Sequence, residues 1–351
     1  MAAQAKAQTT QMNAQDKHGK TVLVTGGTGF LAGWVIRYLL EDGYAVRATV
    51  RAMKKSGKVV DMLQAEGVPT ERLSFAVADL GSPDGWAEAM RGVDAVIHTA
   101  SPLGGDNMDD PTLIPVAVEG VEHVIGAAVA AGIPKVVMTS SEAADYPDKK
   151  DPNPAVNEDF WTDEHNRWAT KYQISKLKAD QRAWEIVDAQ EKTQLATILP
   201  GAILGPNMGG RASSTDQIFM SLLTGSPSPN VIYPVADVRD LARLHILAME
   251  NPKANGKRFI AESEEMTMPE MARILKGAYP DYKVSTTVVP DFLIGLMAHF
   301  QPAMKVLNTM IGLRYHRDAS RARKLLGWNP RPAKQTVLDA AAYLVKNGLV
   351  K

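Results

Sequence analysis

A doubly wound α/β architecture, a parallel sheet buried between helical layers with a smaller C-terminal lobe, is the fold this sequence predicts. Three observations carry the prediction. Short β-branched runs alternate with longer helical patterns from Thr21 to about Pro206. The first run, TVLVTGG, passes through a glycine-rich turn directly into an apolar helix. Beyond Pro206 the rhythm loosens into scattered helices and turn-rich stretches such as TGSPSPN and MENPKANG. Parallel strands need crossovers that cover both sheet faces, so this alternation reads as βαβ units around a buried sheet.

Taken in order, the first strand leads into a helix over Phe30 to Leu40 that closes at Asp42-Gly43, and YAVRATVR forms the second strand. The runs LSFAVADL, DAVIHTA, KVVMTSS and LATILPG repeat the strand signal. Helical segments near Asp84 to Arg91, Ile114 to Ala131 and Asp163 to Lys192 lie between them. Residues 1–18 are rich in Ala, Gln, Thr and Asn and read as a disordered tail, with residues 19–206 as the sheet domain. Residues 207–351 read mainly as a substrate-binding lobe, some segments of which return to the sheet. The tail lacks the apolar run of roughly 7–15 residues that a signal peptide needs. Val289 to Leu313 is apolar but is interrupted by Pro290, Asp291, His299, Gln301, Pro302 and Lys305. It reads as a helical substrate wall, a core piece or a dimer face, not as a bilayer span.

Thirty-nine basic and 39 acidic residues balance, which removes the basic footprint that nucleic acid or an anionic membrane demands. A small-molecule ligand fits better. With no cysteine, disulfides, thiolate nucleophiles and Cys-ligated metals are excluded, and the cytoplasm is the default compartment. The seven histidines show no HxH or HExxH spacing, so no metal site is expected.

The turn Thr25-Gly26-Gly27-Thr28-Gly29-Phe30-Leu31-Ala32-Gly33 sits between strand and helix, where glycines let the backbone approach a pyrophosphate and the helix N-terminus offers free N–H groups. This predicts a dinucleotide site. An Asp or Glu ending the second strand would select NAD, but here the strand ends at Arg51, with Lys54 and Lys55 following and no carboxylate between Gly43 and Asp61. NADPH is therefore the expected cofactor. Asp79 and Leu80 close the third strand, where Asp79 either accepts from the adenine amine or caps the turn. His98-Thr99-Ala100-Ser101 ends the fourth, its small residues leaving room for the dinucleotide.

Chemistry is sought at Tyr172 and Lys176, four residues apart and so on one face of a helix. The spacing occurs three times, at Tyr146/Lys150, Tyr172/Lys176 and Tyr279/Lys283, but proline directly follows Tyr146 and Tyr279. Only the pair at 172 and 176 lies in a stretch free of Gly and Pro. A phenol titrates near pH 10 and needs a neighbouring cation to exchange protons near neutrality, which Lys176 is placed to supply. Of Ser140 and Ser141, ending KVVMTSS, Ser141 is the residue expected to hold a carbonyl oxygen beside that phenol. His165 and Trp168 precede the helix on a segment placed to line the pocket, with a simple loop histidine as the stronger reading.

The ordered set TGGTGF, VR, ADL, HTASP, the serine pair, YQISK and LPGAILGP resembles the extended short-chain dehydrogenases/reductases. It is most similar to their dihydroflavonol reductase, cinnamoyl-CoA reductase and carbonyl (aldehyde) reductase branch. The resemblance implies a Rossmann fold, a catalytic set of Ser141, Tyr172 and Lys176, a nicotinamide ribose held by Lys176, and a nicotinamide backed by Pro200, Ala202 and Ile203. It also implies reduction of an aldehyde or ketone by NADPH, leaving NADP⁺, with Tyr172 as proton donor. A homodimer through the helices near 114–131 and 163–192 is the usual family arrangement. Two positions depart from the pattern. Tyr146 stands where plant flavonoid reductases carry a substrate-contacting Asn, and Glu142 follows the serine where a small or apolar residue is usual; both are candidate substrate contacts. Two rivals stand beside the reductase: a nucleotide-sugar epimerase or dehydratase, whose Thr-Asp-Glu run is here Ser-Glu-Ala, and a non-catalytic NADP-binding regulator.

Overall fold

The computed structural model describes Lys17 and residues 19–102, 107–148, 155–300, 302–312 and 316–350. The tail expected over residues 1–18 thus lies, apart from Lys17, outside the described residues. The chain begins β1 (Thr21–Val24), α1 (Phe30–Glu41), β2 (Ala45–Val50), α2 (Ser56–Ala65), β3 (Leu73–Val77), α3 (Trp86–Met90), β4 (Ala95–His98), α4 (Leu113–Ala130), β5 (Lys135–Thr139), α5 (Lys171–Asp188) and β6 (Gln194–Pro200). It continues β7 (Ala202–Leu204), α6 (Asp216–Leu223), β8 (Ser228–Pro229), β9 (Ile232–Asp237), α7 (Val238–Glu250), β10 (Lys257–Ala261), β11 (Glu264–Thr267) and α8 (Met268–Ala278). The last elements are β12 (Val288–Val289), α9 (Asp291–Met297), α10 (Pro302–Met310), α11 (Ser320–Leu326) and α12 (Ala333–Lys346).

The main sheet has seven strands in the order β10-β6-β5-β4-β1-β2-β3, and every pairing in it is parallel. Strand order therefore reverses between β1 and β4, and in open α/β sheets the crevice outside the strand ends at such a switch point takes the ligand. Alternation along β1 splits its side chains between two cores. Val22 and Val24 pack with Val35, Ile36 and Leu39 of α1 and with Leu241 and Leu244 of α7. Leu23 packs on the other face with Trp86 of α3 and with Val124 and Ile125 of α4. Each such side chain taken fully out of water contributes about 1.5–3 kcal/mol. A third core, with Phe219, Leu222, Met271, Leu275, Val337 and Leu344, packs with a small second sheet of β7, β9 and β11.

Three features differ from the sequence expectation. Helix α5 begins at Lys171, not near Asp163, because Thr170 caps it: its side chain accepts from the Gln173 N–H while Gln173 reaches back to the Thr170 N–H. Helix α2 forms over SGKVVDMLQA, a stretch whose polar residues hide its period; only Val59, Met62 and Leu63 are buried. Strand β10 adds the seventh strand with the sequence KRFIA, and its Arg258 is buried because the guanidinium donates to the carbonyls of Glu158 and Phe160. Among the described residues, one helix, α4, is long and apolar enough by composition to cross a membrane. That apolarity is the core-facing side of a packed helix, with Val121, Val124, Ile125 and Ala128 buried.

Candidate active site

One cleft of about 1260 Å³ runs along the carboxyl ends of the strands and over the switch point. Its floor is the glycine turn. Gly26 has φ +69°, and a Cβ there would lie 3.0 Å from the Ala100 side chain, so a residue without a side chain is required. Gly29 is the N-cap of α1 and supplies no side-chain cap, which leaves the first amides of the helix turned to the cleft's edge for an anion. At the end of the motif Gly33 permits close packing, since a Cβ there would meet the methyl groups of Met62 and Met208 within 2.9 Å.

The catalytic, cofactor and substrate residues expected from the sequence line this cleft except Thr25, while Lys54, His165 and Trp168 stand outside it. Thr25 is wholly buried, and its hydroxyl is used up by His98 Nδ1 at 2.8 Å and the Ala100 N–H at 3.0 Å. It fastens the end of β1 to the end of β4 and so shapes the cleft from beneath. Burial pushes the His98 imidazole down to about 3, so this ring is neutral. Arg51 and Lys55 line the far end, beside Gly29 to Ala32. Asp79 also reaches the cleft, while its Oδ1 accepts from the Gly81 N–H at 3.0 Å, the turn-capping role. Leu80, Thr99, Ala100 and Ser101 form the adjoining wall, and Pro200, Ala202 and Ile203 the wall beyond α5. These features fit a dinucleotide phosphate: a cradle that a Cβ would fill, an uncapped helix terminus, and two cations with no ion-pair partner among the described residues.

At the inner end Ser141, Tyr172 and Lys176 meet. Ser141 ends the extended segment after β5 and caps a short 3₁₀ turn, Glu142–Asp145, by accepting from the Ala143 N–H at 3.1 Å. Its own proton is thereby left to donate, and the Ser141 hydroxyl bonds the Tyr172 phenol. Lys176 lies one turn along α5 and is buried. Its ammonium donates to Ser101 Oγ and sits 5.2 Å from the centre of the Tyr172 ring. Burial lowers the Lys176 amine to about 8 and raises the Tyr172 phenol above its usual value, the Ser141 bond pulling it partly back. The depressed phenol expected from the Tyr-Lys spacing is therefore not what the fold produces. Desolvation outweighs an ammonium that points to Ser101.

Residues 22–261 match the family described as NAD dependent epimerase/dehydratase. The chain belongs to that family. It is 38% identical over 277 residues to cinnamoyl-CoA reductase 1 of Petunia hybrida, a match that covers 76% of this chain and 80% of that relative. It is similar in structure to Gre2 of Candida albicans in complex with NADPH, with TM-score 0.78 and 27% identity over 93% of this chain and 99% of that one. The yeast methylglyoxal/isovaleraldehyde reductase Gre2 complexed with NADPH gives TM-score 0.76 and 25% identity, covering 94% of this chain and 100% of that one. The family resemblance carried by TGGTGF, HTASP and YQISK is borne out, as is the parallel-sheet fold.

A buried ionic cluster lies beside the serine. Arg317, from the segment after α10, places Nη1 3.1 Å from Glu142 Oε2 and Nε 2.9 Å from Asp145 Oδ1. It also donates to the Glu142 carbonyl at 3.3 Å. Burial, with the neighbouring charges of Glu262 and Asp145, holds the Glu142 carboxyl well above its usual value, and burial raises Glu262 to about 7. Three buried carboxyls thus share one guanidinium, so the pair Glu142/Glu262 keeps a proton near neutrality. Tyr146 lines the cleft too, but its hydroxyl donates to the Thr309 carbonyl at 3.0 Å. His165 is exposed and Trp168 half-buried, and neither lines the cleft. Sequence reading missed Glu262 and Arg317, which lie far apart in the chain within segments that carry no motif; only Glu142, an acid directly after the serine pair, gave a signal.

Proposed function

We propose that this protein is an NADPH-dependent reductase that converts an aldehyde or ketone to the corresponding alcohol. The observation that carries the reading is the convergence of Ser141, Tyr172 and Lys176 at one end of a cleft whose other end holds Arg51 and Lys55. When bound, NADPH supplies the hydride to the carbonyl carbon. Ser141 donates a hydrogen bond to the carbonyl oxygen and holds it beside the phenol. Tyr172, kept protonated by burial, gives that oxygen its proton. Lys176 stays close enough to stabilise the phenolate that remains and is placed to hold the nicotinamide ribose. Arg51 and Lys55 hold the 2′-phosphate that separates NADPH from NADH. The relatives support the chemistry, one named a cinnamoyl-CoA reductase and one a methylglyoxal/isovaleraldehyde reductase.

An epimerase or dehydratase of this family returns the hydride to its substrate and keeps its cofactor, whereas a reductase releases NADP⁺ on each turnover. The test is a screen of purified protein for NADPH oxidation against aldehydes, ketones and nucleotide sugars. The reductase reading expects little dinucleotide bound on purification and stoichiometric NADPH consumption. Tightly retained NAD⁺, with conversion of a nucleotide sugar and no net loss of NADPH, would overturn it.

A further inference from the structure

We propose that Arg211 is a third cation of the cofactor site, reading the 2′-phosphate of NADPH from the segment that joins β7 to α6. This rests on the NADPH reading above and adds to it a residue from outside the sheet domain. The segment lies along α2 and runs toward that helix's N-terminus. A Cβ on Gly209 would lie 3.3 Å from the Cα of Met62, whereas the Arg211 guanidinium reaches the Lys58 carbonyl, one turn nearer the start of the helix, at 3.5 Å. The next groups in that direction are Lys55 and, just before it at the end of β2, Arg51. All three cations line the same cleft.

The backbone of Arg211 is fixed while its charge is left free. The Tyr343 hydroxyl of α12 accepts from the Arg211 N–H at 2.9 Å and donates to the Arg211 carbonyl at 3.0 Å, gripping the residue on both sides. The side chain itself makes only the long bond to Lys58, and among the described residues it has no carboxylate partner. A guanidinium that lines one cleft with two other cations, none with an ion-pair partner among the described residues, is stabilised most by a dianionic group, and it recognises phosphate with paired N–H donors. The two glycines before it, Gly209 and Gly210, both adopt positive φ, which lets the chain turn sharply enough to bring Arg211 over the helix.

The test is made on the full-length protein by titrating NADPH, NADH and 2′,5′-ADP and following nicotinamide fluorescence or heat. Arg211→Ala is expected to weaken NADPH and 2′,5′-ADP by about tenfold, since a charge-assisted contact is lost, and to change NADH less than about twofold. The salt dependence of NADPH binding should flatten in parallel. Arg211→Lys, which keeps the charge but not the fork, should recover part of the loss. Equal effects on NADPH and NADH, or none on 2′,5′-ADP, would show that Arg211 only covers α2. A parent protein that binds NADPH no better than NADH would instead overturn the NADPH reading itself.

Discussion

Burial and hydrogen bonding pull the Tyr172 phenol in opposite directions, and burial is the stronger. A raised phenol is a poor base but is fully protonated at neutral pH, the form that reduction consumes. Tyr172→Phe removes only that hydroxyl, because the residue's backbone bond to the Met108 carbonyl at 2.8 Å remains. Turnover should fall by about 10² or more, with NADPH affinity little changed, since a positioned proton donor contributes roughly 10²–10⁴ in rate. Full activity in the variant would remove Tyr172 from the chemistry. Lys176 brings a pH dependence of its own. Its amine is lowered to about 8, so the free enzyme loses the ammonium as pH rises through that value. The ratio kcat/KM, which reports free-enzyme ionisations, should therefore decline above about pH 8. Lys176→Arg, slower but permanently charged, should hold a flat profile to higher pH. An unchanged alkaline limb in that variant would assign the decline to another group.

The helix that carries Tyr172 and Lys176 owes its register to its cap. Thr170 and Gln173 form a reciprocal capping box, and Tyr172 follows within the first turn, so the cap decides which way the phenol faces. Thr170→Ala should lower stability by about 1 kcal/mol, read from urea denaturation, as for other N-cap losses. A stability within a few tenths of the parent would mean that tertiary packing alone sets the helix start. The signal was legible: Thr170-x-x-Gln173 is written in the sequence, yet an apolar and polar pattern reaching back to Asp163 masked it. Elsewhere the strands of the sheet domain were legible because buried parallel strands are near-continuous apolar runs. Strand β10 was not, since KRFIA opens with two cations, and burying Arg258 takes partners contributed by a loop a hundred residues away. The motif-bearing half of the site was readable for the same reason that it works: local backbone shape and strand-end position place those residues. Arg211, Glu262 and Arg317 arrive through tertiary contacts that no local spacing encodes.

At the scale of the whole molecule, the segment after α10 meets the turn that follows β5 at the ionic cluster behind Ser141. Arg317 ties that segment to both Glu142 and Asp145, and a bridge between Val156 and Arg317 with the Asp318 N–H bond to the Val156 carbonyl at 2.9 Å continues the seam. Such a junction costs stability as pH rises. An unfolded glutamate titrates near 4.3, whereas Glu262 in the fold keeps its proton up to about 7. Between those values the folded protein binds more protons than the unfolded chain, so stability falls as pH rises through the window and the loss is complete above about 7. Glu262→Gln keeps the shape and most of the hydrogen bonding but removes the titration. The variant should gain on the parent as pH goes from 5 to 8, by about 1–3 kcal/mol once the sharing of the proton with Glu142 is allowed for. Urea denaturation of both proteins at the two pH values measures the gap. Parallel pH dependences would show that the cluster is already neutralised some other way, whereas a gap that opens toward alkaline pH would place the protonated acid pair at the seam that Arg317 closes.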